Sequence, residues 1–151
     1  MNFEIRSEVK NVGILERIAP AAEEFMNSLL KLSIEAVEEL AFEKYGYTLE
    51  FFNIPGGDIE LSRKYECLRG MKLSGKDGFT ICYGDAKLIL IDDEMHPEHK
   101  LQTLLHEMGH IILGHVGSGK INYLDRRLIE FEANAFAYEV LLEYHKRLVS
   151  F

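Results

Sequence analysis

The sequence is poor in cysteine and proline. These shortages exclude a disulfide-rich domain and a chain divided by a proline-rich linker. Only two of its 151 residues are cysteines, and Cys67 and Cys82 form neither a CxxC pair nor the framework of a disulfide-rich domain. We expect both to be reduced core residues in strands. No tract rich in proline, glycine and serine divides the chain. The sequence therefore predicts a single domain over residues 1–151, with 47% hydrophobic residues to form its core.

Positive charge and long hydrophobic runs are also scarce. Lys and Arg together number 17 against 25 Asp and Glu, and the net charge of -8 has the wrong sign for a protein that neutralises phosphates. The longest apolar runs, such as residues 88–91, are far shorter than the ~20 residues that span a bilayer. The first ten residues lack the pattern of a signal peptide. We expect a cytoplasmic protein that contacts neither nucleic acid nor a membrane.

Hydrophobic periodicity predicts helices towards both ends of the chain and strands between them. Apolar residues at steps of three and four predict one amphipathic helix over 20–45. Helix-start signals and renewed periodicity predict two further helices, over about 97–114 and 125–148. Four segments rich in β-formers predict strands of an antiparallel meander: 48–54, 68–73, 79–83 and 86–91. The predicted fold class is α+β, with a small, mostly antiparallel sheet.

The segment TLLHEMGH contains an HExxH motif on a predicted helix. Four residues make slightly more than one turn, so His106 and His110 project from one face with a rise of ~6 Å between them. Two imidazoles at this spacing can bind one metal ion. Glu107 lies about 100° around the helix, where it can reach a water molecule on that ion without being a ligand. The motif predicts a zinc site with Glu107 as the catalytic base.

A catalytic zinc site takes three protein ligands, so a third is required. The extended HExxHxxGxxH motif would place a histidine at position 116, which is a valine. His115 lies nine residues after His106, about 180° around the same helix. We therefore expect His115 to cap the helix end or to pack locally. The third ligand must come from another element.

A second acidic pattern, LIEFEANAFA, lies in the predicted last helix. Glu130 shares its helical face with small and apolar residues, whereas Glu132 shares its face with Glu139 and Glu143 and is expected to face solvent. This phase predicts Glu130 as the third ligand and leaves Glu132 as the alternative. Asn134 lies four residues after Glu130, where it would either accept a hydrogen bond from a ligand histidine or serve only in helix packing.

The motifs HEMGHIILGH and EFEANAFA together resemble the ImmA/IrrE family of zinc metallopeptidases, most strongly over about residues 79–142. The resemblance implies a zincin-like, gluzincin-type domain with one zinc ion per chain. It also implies a metallo-endopeptidase in the cytosol of a bacterium or its mobile elements, which cuts a partner protein such as a transcriptional repressor. Because the family motif contains both acids, the resemblance does not choose between Glu130 and Glu132.

The sequence departs from many relatives in two places. Their second motif ends in a segment like Leu-Leu-Met-Pro, whereas here Leu141 and Leu142 are followed by Glu143. We therefore expect different contacts with the substrate. Many relatives also carry a helix-turn-helix segment, which the N-terminal region does not show. The protein substrate is then expected to be a regulator encoded elsewhere.

Substrate placement is the part of the site that the sequence leaves most open. An extended peptide would add antiparallel to an exposed strand edge, for which 79–83 is the candidate. An oxyanion donor is also needed, and the sequence does not choose among six residues: Tyr83, His96, His99, Tyr123, Tyr138 and His145.

A rival function comes from a different class of protein. A zinc-stabilised module could capture a regulatory protein through the acidic face of its N-terminal helix, without cutting it. Such a scaffold has no use for a general base beside the metal ligands. Glu107 therefore favours the enzyme.

Overall fold

A computed structural model describes residues 12–53, 57–71, 73, 75–116 and 126–149. The described part contains five α-helices, one 3-10 turn and three strands, which confirms the α+β class. In chain order they are α1 (Val12–Asn27), α2 (Ile34–Tyr45), β1 (Thr48–Phe52), α3 (Gly57–Lys64), the 3-10 turn (Glu66–Leu68), β2 (Gly78–Tyr83), β3 (Ala86–Asp92), α4 (Pro97–Ile112) and α5 (Arg126–Val149).

The three strands form a mixed sheet in the order β1-β3-β2. Strands β2 and β3 are an antiparallel hairpin, as predicted. Strand β1 runs parallel to β3, with Thr48 opposite Leu88, so the predicted antiparallel meander is wrong. A parallel pair needs a long crossover, and the residues between β1 and β3, which include α3 and the hairpin strand, supply it.

The strand predicted over 68–73 is also wrong. Leu68 ends the 3-10 turn, and residues 69 and 70 form a turn. Leu68 and Leu73 are both 2% exposed and pack in a small core with Phe52. Their apolar character therefore reflects burial beneath the sheet rather than strand pairing. Cys67 lies in the same turn, and it and Cys82 are free thiols, both half-buried.

The single N-terminal helix predicted over 20–45 is in fact two helices, α1 and α2. Ser33 is the N-cap residue of α2. Its backbone is extended, and its hydroxyl oxygen accepts a hydrogen bond from the amide of Ala36 at 3.1 Å. Apolar residues of both helices pack into one core. Because both helices bury apolar residues in the same core, apolar residues recur at helical spacing on both sides of the break.

Helix α4 packs against both the sheet and α5. Leu105 and Met108 are fully buried on it and join Phe136 of α5 in the main core. Gly109 sets the separation of the two helices, since a Cβ atom there would lie only 3.2 Å from the Cα and carbonyl oxygen of Ala133. The close approach places the HExxH face of α4 opposite the acidic segment of α5.

Helix α1 also packs along α5. The rings of Phe25 and Phe136 meet edge to face, with centroids 5.5 Å apart. Ile18 and Ala22 are buried in the same contact region. None of the helices within the described ranges is long and apolar enough to cross a membrane.

Candidate metal centre

The three predicted ligands meet between α4 and α5. The Nε2 atoms of His106 and His110 are 3.1 Å apart. Oε1 of Glu130 lies 3.1 Å from Nε2 of His106, and its Oε2 lies 3.0 Å from Nε2 of His110. Within the residues that the structure describes, this is the group whose ligand atoms converge, all within 4.8 Å of one another. Two helices thus direct two nitrogens and one carboxylate to a common point.

Asn134 determines which nitrogen of His106 faces that point. Its Oδ1 lies 2.7 Å from Nδ1 of His106, so the hydrogen bond expected from the sequence is present. An amide oxygen only accepts, so Nδ1 of a neutral ring carries the proton and Nε2 keeps its lone pair. That lone pair is directed at the carboxylate of Glu130 and the ring of His110, an arrangement that is compatible with a metal ion between them.

Glu107 lies beside this group and is only 5% exposed. Thr80 of β2 donates a hydrogen bond from Oγ1 to its Oε1 at 2.7 Å. Burial raises the pKa of the Glu107 carboxyl, and the hydrogen bond and the neighbouring histidine charges offset this only in part. A carboxylate with increased proton affinity is suited to general base catalysis.

The burial of the two neighbouring acids is the reverse of what helical phase predicted. The side chain of Glu130 is 57% exposed, and its contacts with the two candidate ligand histidines lower its pKa far below the ordinary value. Glu132 was expected on a solvated face, which is wrong, because its side chain is only 10% exposed. Its Oε1 lies 2.6 Å from Nε2 of His115, and its Oε2 pairs with Arg17 of α1. The packing of α1 on α5 therefore buries an acid that α5 alone would expose.

Two cavities adjoin the candidate ligands, with His106 in the lining of one and His110 in the lining of the other. Gly78, Glu107 and Glu130 line both of them. The smaller, about 320 Å³, extends to His99, and the larger, about 620 Å³, extends along Phe79. Among the described strands only β3 pairs with β2, so the other edge of β2 borders this cleft.

A family comparison agrees with this geometry. The model of the peptidase M78 family, described as the IrrE N-terminal-like domain, matches residues 42–149. The chain belongs to this family. The resemblance drawn from the two motifs is thereby confirmed. No curated protein matches the sequence. The M78 match includes α4 and α5 with all three candidate ligands, and α1 precedes it.

One of the six candidate oxyanion donors lies near the candidate ligands. His99 lines the smaller cavity with His106, and its Nε2 lies 3.3 Å from Oδ2 of Asp77. It precedes His106 by seven residues, about 10 Å along the helix, so it would meet a substrate away from the reacting carbonyl. Tyr123 lies outside the described residues. The other four are exposed and line neither cavity: Tyr83, His96, Tyr138 and His145.

Sequence reasoning missed three residues that contact the candidate site or the Glu132 carboxylate beside it: His115, Thr80 and Arg17. Gly114 was the signal that could have located His115. A glycine there ends the helix, so the angle of about 180° between His106 and His115, which assumes a continuous helix, does not apply. Thr80 and Arg17 reach Glu107 and Glu132 from elements distant in sequence, and no local pattern marks either contact.

Proposed function

We propose that the chain is a zinc-dependent metallo-endopeptidase with one zinc ion per chain. His106, His110 and Glu130 would be the ligands and Glu107 the general base. The observation that carries the proposal is the convergence of three donor atoms beside a buried glutamate, in a domain of a peptidase family. An HExxH helix with a downstream glutamate is the donor arrangement that metallopeptidases use.

The donor set fits zinc better than it fits an alkaline-earth ion. Two imidazole nitrogens and one carboxylate oxygen suit a borderline cation, whereas calcium and magnesium take oxygen ligands. Three ligands also leave a fourth position for water or substrate, as a catalytic zinc site requires. A bound zinc ion would polarise the scissile carbonyl and increase the acidity of the attacking water.

Glu107 would carry the proton between water and leaving group. Thr80 occupies Oε1, which leaves Oε2 to accept a proton from the attacking water. The same oxygen then donates that proton to the amine nitrogen as the peptide bond breaks. The raised pKa of this buried carboxyl helps it hold the proton between the two steps.

The substrate would be an extended protein segment. The cleft along β2 supports this, since a peptide that pairs with the strand edge would pass both cavities and cross the ligands. The family resemblance supports a cytosolic regulator, such as a transcriptional repressor encoded elsewhere. The net charge of -8 favours a protein substrate over nucleic acid.

The test compares wild-type protein with Glu107→Gln, both loaded with zinc. Each is incubated with peptide libraries prepared from a bacterial lysate, and new N-termini are identified by mass spectrometry. We expect cleavage by the wild type alone, with equal zinc content in both proteins, because the variant keeps all three ligands and loses the base. Equal cleavage by both proteins would refute the role of Glu107. Zinc binding without any cleavage would favour the non-catalytic binding module.

A further inference from the structure

The end of α4 brings His115 back over His110. Gly114 adopts a left-handed conformation with φ of 79°, and its amide bonds to the carbonyl of Ile111 at 3.2 Å. The amide of His115 bonds to the carbonyl oxygen of His110 at 2.8 Å. This pair of bonds is a Schellman motif, which turns the chain back on the helix. The Nδ1 atoms of His115 and His110 are consequently 3.0 Å apart.

A line of buried contacts extends from His115 away from the ligands. Its Nε2 lies 2.6 Å from Oε1 of Glu132, whose Oε2 pairs with Arg17. His115 is only 2% exposed, and the side chain of Glu132 is 10% exposed. Water has little access to these groups, so their hydrogen bonds are strong and directional.

The chemistry of the groups gives these hydrogen bonds a direction. A carboxylate only accepts, so Nε2 of His115 carries the proton that it shares with Glu132. In a neutral ring Nδ1 of His115 is then an acceptor, and Nδ1 of His110 must be the donor. His110 therefore keeps the lone pair on Nε2, the atom that faces Glu130.

We propose that His115 is a positioning residue, which Glu132 and Arg17 hold in place and which fixes the ring orientation and tautomer of His110 for metal binding. The proposal rests on the assignment of His110 as a ligand under the proposed function. His115 gives His110 what Asn134 gives His106, a fixed acceptor for the Nδ1 proton.

His115 itself is not placed as a ligand. One of its ring nitrogens faces His110 and the other faces Glu132, so neither is directed at the converging ligand atoms. Arg17 lies on α1, which precedes the residues matched by the family model. An element before the matched domain thus supports the metal site of this chain.

The first test measures zinc affinity by competition with a chelator. His115→Leu removes both hydrogen bonds, and we expect it to weaken zinc binding by about 10- to 100-fold. His115→Gln supplies an amide oxygen for His110 and an amide N–H for Glu132, and we expect it to restore affinity to within a few-fold of wild type. His145→Leu, at an exposed position on α5, is the matched control and should change nothing. Wild-type affinity in His115→Leu would overturn the proposal.

The second test needs neither a variant nor a peptide substrate. Nitrogen NMR of the metal-free wild-type protein reports which ring nitrogen of His110 carries the proton. We expect Nδ1, with a scalar coupling across the hydrogen bond to Nδ1 of His115. A His110 ring without a proton on Nδ1 would overturn the proposal even if His115→Leu failed to fold. If these readouts are as expected and no peptide is cleaved, only the proposed peptidase function fails.

Discussion

Thr80 donates a hydrogen bond to Glu107 from the middle of β2, across 2.7 Å. The strand can reach the helix because Gly78 has no side chain, since a Cβ atom there would lie 2.8 Å from Cγ2 of Thr103. The strand that borders the cleft therefore also orients the proposed base. Any displacement of β2 when a peptide binds would be transmitted to the Glu107 carboxylate.

Thr80→Val should separate the hydrogen bond from the shape of the side chain. The hydrogen bond lowers the pKa of Glu107, so its loss should raise that pKa further. The base must be ionised, and its ionised fraction is present only above that pKa. We therefore expect the acid limb of kcat/KM against pH to move to higher pH, with activity about tenfold lower at neutral pH and zinc content unchanged. Thr80→Ser keeps the hydroxyl and should retain the wild-type profile. An unshifted acid limb in Thr80→Val would contradict the role given to Thr80.

Gly114→Ala should loosen the turn that carries His115. Alanine at a φ of 79° costs about 1–2 kcal/mol in the folded state. Gly46 is the matched control, because it ends α2 with a φ of 78° and lines neither cavity at the candidate ligands. We expect similar losses in the free energy of unfolding for the two alanine variants, measured with denaturant. Only Gly114→Ala should also weaken zinc binding to the folded protein, and equal affinities would count against the coupling of this turn to the metal.

Glu130→Gln should mainly lower zinc affinity, whereas Glu132→Gln should mainly lower stability. Glu130→Gln removes one of three ligands that share a binding energy of ~10 kcal/mol, so we expect zinc affinity to fall by at least about 100-fold. At a pH above the raised pKa of His106, the stability of the metal-free protein should hardly change, because Glu130 is exposed. Glu132→Gln removes the charge and one of the two acceptor oxygens that contact His115 and Arg17, and should cost about 1–3 kcal/mol in stability. A larger loss of zinc affinity at Glu132, measured by chelator competition, would reverse the ligand assignment.

Removing the metal should lower stability, and more so at higher pH. Burial by itself lowers the pKa of His106, but the hydrogen bond with Glu130, the negative charges of Glu107 and Glu130, and the contact with Asn134 together outweigh it, so the pKa is raised. The protonated ring therefore stabilises the metal-free fold below its ordinary pKa, and this contribution is lost as pH rises through the raised value. Zinc requires the neutral ring. Thermal unfolding with and without chelator, from about pH 5 to about pH 8, should show a widening difference. A constant difference would contradict competition between proton and metal at His106.

The predictable parts of the fold are those set by neighbours in sequence. Periodicity and the Pro97 start signal located α4, and the tight turn before Ala86 located the β2–β3 hairpin. The direction of β1 could not be predicted, because a strand carries the same apolar pattern whether its partner is parallel or antiparallel. The direction depends on the connection between β1 and β3, whose paired residues, such as Thr48 and Leu88, are distant in sequence.

The same division applies to the candidate site. Helix geometry alone brings His106 and His110 together, and the phase of α5 pointed to Glu130 although its burial was misjudged. The surroundings of Glu132 depend on where α4 ends and on what packs over α5. Neither is encoded in the period of a single helix.

The position of Glu130 on α5 determines when the proposed metal site can form during synthesis. Its contact with His106 joins residues 24 apart, and the contact of Glu132 with Arg17 joins residues 115 apart. The β2–β3 hairpin and α4 can form as soon as they leave the ribosome, because their contacts are local. The proposed metal site must wait for α5. A nascent chain that already displays its HExxH helix would therefore still lack the proposed third ligand.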